Sequence, residues 1–216
     1  MIKNILILVI IGMLISISCQ QKSQPTQNLA TKDGKHVGGD CEGCEGIYEG
    51  MPKEIGWETT IPDTTEPGQP IEISGTIFKR DGKTPAANVI LYVYHTDNKG
   101  YYTPAENTNG WTRRHGHLRS WMRTNERGEY KFRTIKPIAY PNRDIPAHIH
   151  PIIKEPDKNE YFIDEYLFDD DPLLTSEKRK DLEDRGGNGI IHLEKGSDGI
   201  LRGKRDIILG LNIPNY

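Results

Sequence analysis

The sequence predicts an all-β protein, an antiparallel β-sandwich with one short helix, and three observations carry that expectation. Apolar residues come in short runs, several of them alternating with polar ones, which is the period of a strand with one buried face. Turn signals such as Arg80-Asp-Gly-Lys83 and Asn125-Glu-Arg-Gly128 separate the runs, and 22 Gly and 14 Pro in 216 residues leave little room for long helices. A single segment, Thr175 to Arg185, has both the capping residues and the Gly-Gly stop of a helix.

In chain order, residues 1–18 have the pattern of a secretory leader, with Lys3 at the charged end and an apolar run from Ile5 to Ile17 interrupted by Gly12 and Ser16. The run is short for a membrane-spanning helix. It ends at Ser16-Ile-Ser-Cys19, a pattern similar to bacterial lipoproteins, in which the cysteine becomes a lipidated N-terminus; Ser16 stands where that box usually has leucine. Residues 19–35 are expected to form a flexible tether, because they contain too few large apolar side chains to bury. Residues 36–70 form a Gly- and Pro-punctuated arm carrying Trp57, expected to wrap the core. Export places Cys41 and Cys44 in an oxidising compartment, where a short-loop disulfide is the first expectation and two free thiols the second.

The sandwich is expected to occupy residues 71–216. Ile71, Ile73 and Ile77 share one face of the first strand. Val89 to Tyr94 is apolar on both faces, as in a strand with the core on one side and a cover, such as the arm, on the other. Tyr130, Phe132 and Thr134 alternate with Lys131 and Arg133, and Tyr161 to Phe168 and Asp206 to Ile213 supply further strands. Trp111 and Trp121 are read as core or rim aromatics. The formal net charge of −3, with no basic stripe interleaved with aromatics, excludes a nucleic-acid partner from the expectations.

The chemistry centres on Pro146-Ala-His-Ile-His150. In an extended strand His148 and His150 project from the same face, so two imidazoles point at one place. Two histidines do not complete a metal site, and no cysteine or carboxylate lies at a familiar zinc spacing. Tyrosines remain. A phenol, with a pKa of about 10, needs a highly charged cation to displace its proton, which points to ferric iron rather than zinc.

Arg133-Thr-Ile-Lys-Pro-Ile-Ala-Tyr-Pro141 followed by Pro146-Ala-His-Ile-His150 closely resembles the core of the intradiol ring-cleavage dioxygenases, and Asp97-Asn-Lys-Gly-Tyr-Tyr102 resembles the segment carrying their first tyrosine ligand. The likeness runs from about Glu72 to the C-terminus. It implies Fe(III) held by Tyr102, Tyr140, His148 and His150, a catechol-type substrate and O2, and a muconate-type dicarboxylate product. It also implies that Tyr140 is the ligand displaced when the diol binds, and so has a catalytic role. Two positions depart from the pattern. Ile145 stands where many members have arginine, and Glu165 stands where they have glutamine, so the substrate pocket, assigned to Arg143, Ile145 and Glu165, transfers less well than the metal site. Arg143, Arg113, Arg114 and Arg119 would favour an anionic ring and Glu165 would oppose one, and the expectation is a catechol or hydroxylated catechol rather than protocatechuate.

Thr112-Arg-Arg-His-Gly-His-Leu-Arg119 holds a second His-x-His pair, read as a loop that lines the pocket mouth or grips an anionic substituent, with a second metal as the alternative. Two other functional classes compete. Glu72 to Phe78 with Thr84 to Ile90 also looks like the prealbumin-like sandwiches of surface lipoproteins, which bind partners without catalysis. A third reading keeps the same ligands for a zinc-dependent hydrolase.

Overall fold

The computed structural model describes residues 36–61 and 66–216. The leader and tether expectations, Cys19 included, fall outside the described residues. The strands are β1 (Glu58–Thr60), β2 (Pro70–Phe78), β3 (Ile90–His95), β4 (Arg119–Arg123), β5 (Glu129–Ile135), β6 (His148–Lys154), β7 (Glu160–Phe162), β8 (Tyr166–Phe168), β9 (Ile190–Ile191), β10 (Glu194–Lys195), β11 (Leu201–Lys204) and β12 (Ile207–Ile208). Two one-turn helices, α1 (Gly110–Arg114) and α2 (Ser176–Lys180), lie between them.

The strands form the two sheets of a sandwich. One runs β1-β5-β2-β11-β10 with β12 also on β2, and the other runs β4-β3-β6-β8-β9 with β7 also on β6. The alternation read from sequence decides the facing sides. Ile71, Ile73 and Ile77 of β2 and Tyr130 and Phe132 of β5 meet Leu91 and Val93 of β3, Met122 of β4 and Ile149 and Ile153 of β6 in one buried core. Central pairs are antiparallel, such as β2 on β5 and β3 on both β4 and β6. Pairings toward the edges, β1 on β5, β11 and β12 on β2, and β9 on β8, run parallel. Long connections return these short strands in the same direction as their neighbours, a geometry that a hairpin cannot produce.

The arm covers the outer face of the second sheet, as its two-sided apolar strand implies. Cys44 and Ile47 bury against Ile90, Tyr92, Trp121 and Ile152, with Met51 and Ile55 packed at the margin. Trp121 donates its indole N–H to the Ile47 carbonyl at 2.6 Å, which makes it a core residue. Cys41 and Cys44 are disulfide-bonded.

Several elements differ from the sequence reading: α1 is a second short helix beyond the one expected, β1 places part of the arm at the edge of the first sheet, and three expected elements are shortened or interrupted. The run Tyr161 to Phe168 is interrupted at residues 163–165, where the Asp164 N–H donates to the Arg185 carbonyl instead of to a strand partner. The helix expected over 175–185 is capped by the Thr175 hydroxyl but stops at Lys180. Arg185, buried to 4% exposure, donates to the carbonyls of Gly38 and Phe162, and this draws the chain off the helical path. In the run 206–213 only Ile207 and Ile208 pair, because Gly210 (φ 74°) and Asn212 (φ 54°) take left-handed conformations that end a strand.

Candidate metal centre

His148 and His150 sit on β6 two residues apart, with Ile149 turned into the core between them. Both imidazoles therefore face outward, on the side that the arm partly covers. Tyr94 is the cross-strand partner of His150 in the β3–β6 ladder, and Leu167 is the partner of His148 across β8.

The tyrosines arrive on two loops tied to each other. The Asp97 carboxylate accepts from the N–H groups of Lys99 (2.8 Å) and Tyr101 (3.1 Å) and from the Thr103 hydroxyl (2.6 Å), a side-chain turn that shapes the loop around Tyr102. Burial works to raise the pKa of Asp97, and these donors outweigh it and hold the group ionised. Thr96 donates its hydroxyl to the Ile138 carbonyl at 2.7 Å, linking this loop to the one carrying Tyr140. Gly100, at φ 81°, lies so close to the Ala139 carbonyl that no Cβ fits between them.

The four side chains close a ring. Tyr102 Oη lies 2.6 Å from Tyr140 Oη and Tyr140 Oη lies 3.1 Å from His148 Nε2. His148 Nε2 lies 3.0 Å from His150 Nε2, which is 2.8 Å from Tyr102 Oη. His148 donates Nδ1–H to the Pro146 carbonyl at 2.7 Å, so its Nε2 carries a lone pair. His150 Nδ1 faces Glu165 Oε1 at 3.6 Å, which favours the same tautomer. Two phenolic protons then serve four contacts, and at least two contacts set lone pair against lone pair. A cation at the centre of the ring would relieve this, and the donors, 2.6–3.1 Å from one another around the ring, stand close enough to share one ion. The donor set fits a metal.

Electrostatics narrows the metal's character. Burial, followed by the hydrogen bond with Tyr140, pushes the Tyr102 phenol well above its ordinary value, and burial raises Tyr140 as well. Burial, reinforced by His148, keeps His150 neutral by pushing its pKa well below the usual imidazole value. The imidazoles are ready ligands, whereas the phenols give up their protons only to a strongly polarising cation. Among the described residues there is no group of three or more His, Cys, Asp or Glu that could hold a metal, and the donors that converge here are two imidazoles and two phenols.

A cleft of about 440 Å3 opens beside the ring, lined by Tyr140, His148 and His150 and walled by Ile145, Leu167 and Leu174. Tyr102 is not among its lining residues. Of the pocket residues expected from sequence, Ile145 and Glu165 line this cleft, while Arg143 is solvent-exposed outside it, its N–H donating to the Tyr140 carbonyl at 3.3 Å. The cation that does line the cleft, Lys178 of α2, escaped the sequence reading. Its ammonium donates to the carbonyls of Asp144 (2.7 Å) and Leu173 (3.1 Å) and pairs with Asp144 Oδ2 at 3.0 Å, which uses all three donors. The capped, lysine-bearing helix was visible in the sequence, but its position over the site was not.

The second His-x-His pair does not converge. His115 is buried with Nδ1 3.0 Å from the Tyr92 hydroxyl, and His117 bonds the Thr103 carbonyl and Glu66 Oε2 at 2.7 and 2.9 Å. None of residues 112–119 lines the cleft, so the expectation that this segment lines the pocket mouth is corrected. Arg114 pairs with Glu42, and Arg119 donates to the Glu49 carbonyl and the Tyr92 hydroxyl, so both hold the arm. Gly116, at φ 74°, turns the two imidazoles apart.

A family model described as Dioxygenase matches residues 52–185, well over half of the chain. Catechol 1,2-dioxygenase 2 of Acinetobacter lwoffii is 29% identical over 143 residues, covering 53% of this chain and 48% of that protein. The chain belongs to the intradiol ring-cleavage dioxygenases. A catechol 1,2-dioxygenase of Acinetobacter baylyi is 30% identical over 118 residues, covering 47% of this dioxygenase-family chain and 37% of the relative. The chain thus spans about half the length, or less, of these relatives. In fold it is similar to the dioxygenase domain of a dioxygenase carbohydrate-binding protein fusion from Streptomyces sp. SirexAA-E, with a TM-score of 0.54 at 22% identity over 74% of this chain and 91% of that one. The all-β sandwich is therefore shared with this family.

Proposed function

We propose that the chain is a non-haem Fe(III) dioxygenase that uses O2 to cleave a catechol-type ring between its two hydroxyl-bearing carbons, giving a muconate-type dicarboxylate. The observation that carries this reading is the closed ring of two phenols and two imidazoles at the mouth of an apolar cleft. Tyr102, Tyr140, His148 and His150 would hold the metal. Ferric iron bound there would chelate the diol and draw electron density from the ring so that it reacts with O2.

The chain's own residues divide the remaining work. Tyr140 lines the cleft and Tyr102 does not, which supports Tyr140 as the phenol that would yield its position to an incoming diol and accept a proton at Oη. Ile145, Pro146, Leu167, Leu174 and Leu182 line the cleft, where they would contact a bound aromatic ring and exclude water, and the cleft volume suits a small aromatic molecule. The Lys178 ammonium is fully engaged, and Glu165 adds a carboxylate to the lining, so a ring carboxylate finds no counter-ion there. The favoured substrate is a catechol or hydroxylated catechol rather than protocatechuate.

We also propose that the protein is exported and anchored by a lipid on Cys19. The Cys41–Cys44 disulfide supports the oxidising compartment that export implies. Cys19→Ser is expected to release the protein from the membrane fraction, and an unlabelled wild type after feeding a labelled fatty acid would remove the anchor.

The deciding experiment measures metal content, visible absorption and oxygen uptake with a panel of catechols, followed by mass analysis of products made under labelled O2. About one iron per chain, a tyrosinate-to-iron absorption band and a dicarboxylate carrying both labelled oxygens are expected. Stoichiometric zinc without iron, or a ring-opened semialdehyde, would overturn the assignment.

A further inference from the structure

The second His-x-His segment, which the proposed reaction leaves without a role, contributes one of its rings to a continuous aromatic column. His115 stacks on Tyr94 with ring centroids 3.8 Å apart and planes 7° apart, and Tyr94 stacks on His150 at 4.6 Å and 18°. Tyr94 is thus sandwiched between a candidate metal ligand and a buried imidazole from another part of the chain. The column matters for His150 because its two sister contacts are unequal. His148 is oriented by a hydrogen bond from Nδ1 to a backbone carbonyl at 2.7 Å, whereas His150 Nδ1 has only Glu165 at 3.6 Å, beyond hydrogen-bond reach. With Nε2 held in the ring of donors and Nδ1 without a hydrogen bond, the tilt of the His150 ring plane is set by the aromatic surface stacked against it.

His115 is itself fixed from behind. The Tyr92 hydroxyl, which accepts from Arg119 at 3.3 Å, is free to donate to His115 Nδ1 at 3.0 Å. The arm closes the remaining side. A Cβ on Gly46 would stand 2.5 Å from His115 Cε1 and 2.7 Å from Nδ1, and one on Gly43 would stand 3.0 Å from Nε2, so the arm backbone touches the imidazole where no other residue fits. Gly43 and Gly46 flank Cys44, whose disulfide to Cys41 holds this stretch of the arm in shape.

We propose that His115 is a positioning residue for the metal centre: wedged between the arm glycines and Tyr94, it fixes the plane of the His150 ring through the stacked column. This rests on the proposed function only in taking His150 as a ligand. The arm is then part of the site's support, and its seating reaches the metal without a residue of the arm touching it.

The test compares His115→Ala, His115→Phe and Gly46→Ala in the iron-loaded protein, reading the position of the visible band and the rate of iron loss to a chelator. Ile207→Val, in the opposite sheet, controls for lowered stability alone. His115→Ala and Gly46→Ala are expected to shift the band and speed iron loss about tenfold, as outer-shell changes do. His115→Phe, which keeps a flat ring in the column, is expected to restore both, and Ile207→Val to move neither. A band and iron-loss rate in His115→Ala and Gly46→Ala indistinguishable from wild type, with only the melting temperature lowered, would overturn the proposal. A wild type without any visible band would overturn the iron reading instead. In that case the His150 ring-proton chemical shifts of the metal-free protein decide the positioning role, supporting it if they move in His115→Ala and return in His115→Phe, and overturning it if they stay fixed.

Discussion

The chain holds two His-x-His pairs of identical spacing, and they come to opposite ends. His148 and His150 lie in a strand paired on both sides, where the two-residue period puts both imidazoles on one face and brings their Nε2 atoms to 3.0 Å. His115 caps the end of α1 in a helical conformation and Gly116 follows at φ 74°, so His115 turns into an aromatic box while His117 turns to Glu66. A spacing of two carries chemical meaning only when the backbone between the residues is extended. The small residue between the second pair is what permits the turn, and Ile149 between the first pair is what holds it straight by burying in the core.

The largest expected effect breaks the converging pair. His148→Ala or His150→Ala should lose nearly all iron and colour together, by at least about a hundredfold in metal affinity, exceeding the range for outer-shell residues. His117→Ala should keep full iron content by elemental analysis. Equal iron loss in all three would erase the distinction between the pairs.

The tyrosines sharpen the same contrast within the ring. Tyr140→Phe is expected to retain much of its iron yet lose turnover by about a hundredfold or more, the scale of a lost proton acceptor. Tyr102→Phe should instead weaken iron binding and change the colour of the resting protein. Oxygen uptake normalised to bound iron separates the two outcomes, and identical behaviour of the variants would assign no special part to Tyr140.

A pH titration of stability reads the burial of the histidines behind both pairs. Desolvation pushes His95, which is fully buried and bonds Thr134 Oγ1 at 2.7 Å, down to about 4, and His115 also down to about 4. With folded pKa values below the unfolded value of 6.5, the unfolded chain binds more protons between pH 6.5 and 4. Stability is therefore complete above 6.5 and falls as the pH drops toward 4, by roughly 3 kcal/mol for His95. Denaturant unfolding at pH 7 and pH 4.5 should show the loss, reduced in His95→Gln if that variant folds with its Thr134 contact intact.

The smallest effect has the opposite sign. Burial works to lower the His117 pKa, but the hydrogen bonds with Glu66 and the Thr103 carbonyl outweigh it and leave it raised. Its contribution is thus fully present below 6.5 and is lost as the pH rises through the folded value. His117→Gln should cost about 1 kcal/mol or less at pH 6 and still less at pH 8, because the pair is only partly buried. A cost that grows with pH would show that His117 is held in its neutral form, as His115 is.

Much of the site was legible in the residues themselves. The alternation around Ile149 implied that His148 and His150 share a face, and the two-sided apolar run at Val89 to Tyr94 implied a cover, which the arm supplies. Arg143 and the arginines at 113, 114 and 119 were harder, because a charge in sequence has no direction. Arg114 and Arg119 hold the arm, and the cation beside the site comes instead from α2, 28 residues beyond His150, where Lys178 is neutralised by Asp144. Glu165 faces His150 at 3.6 Å where the strand is interrupted at residues 163–165, an interruption that follows from the backbone bond of Asp164 to Arg185 and has no signature in an apolar run.

What the sequence determined by itself is therefore local and periodic: which faces are apolar, which residues alternate and where turns fall; the four candidate ligands Tyr102, Tyr140, His148 and His150 came from its resemblance to a family. What only the tertiary structure decided is convergence and occupation. Tyr102 and Tyr140, separated by 38 residues, meet at 2.6 Å because two loops are tied through Asp97, Thr96 and Gly100. Lys178 is spent on Asp144 and Leu173, and His115 stacks through Tyr94 onto His150, 35 residues away. The physical reason is that period and propensity act over a few residues, whereas donors, ring planes and counter-ions are assigned by whichever distant groups the packed chain brings into reach.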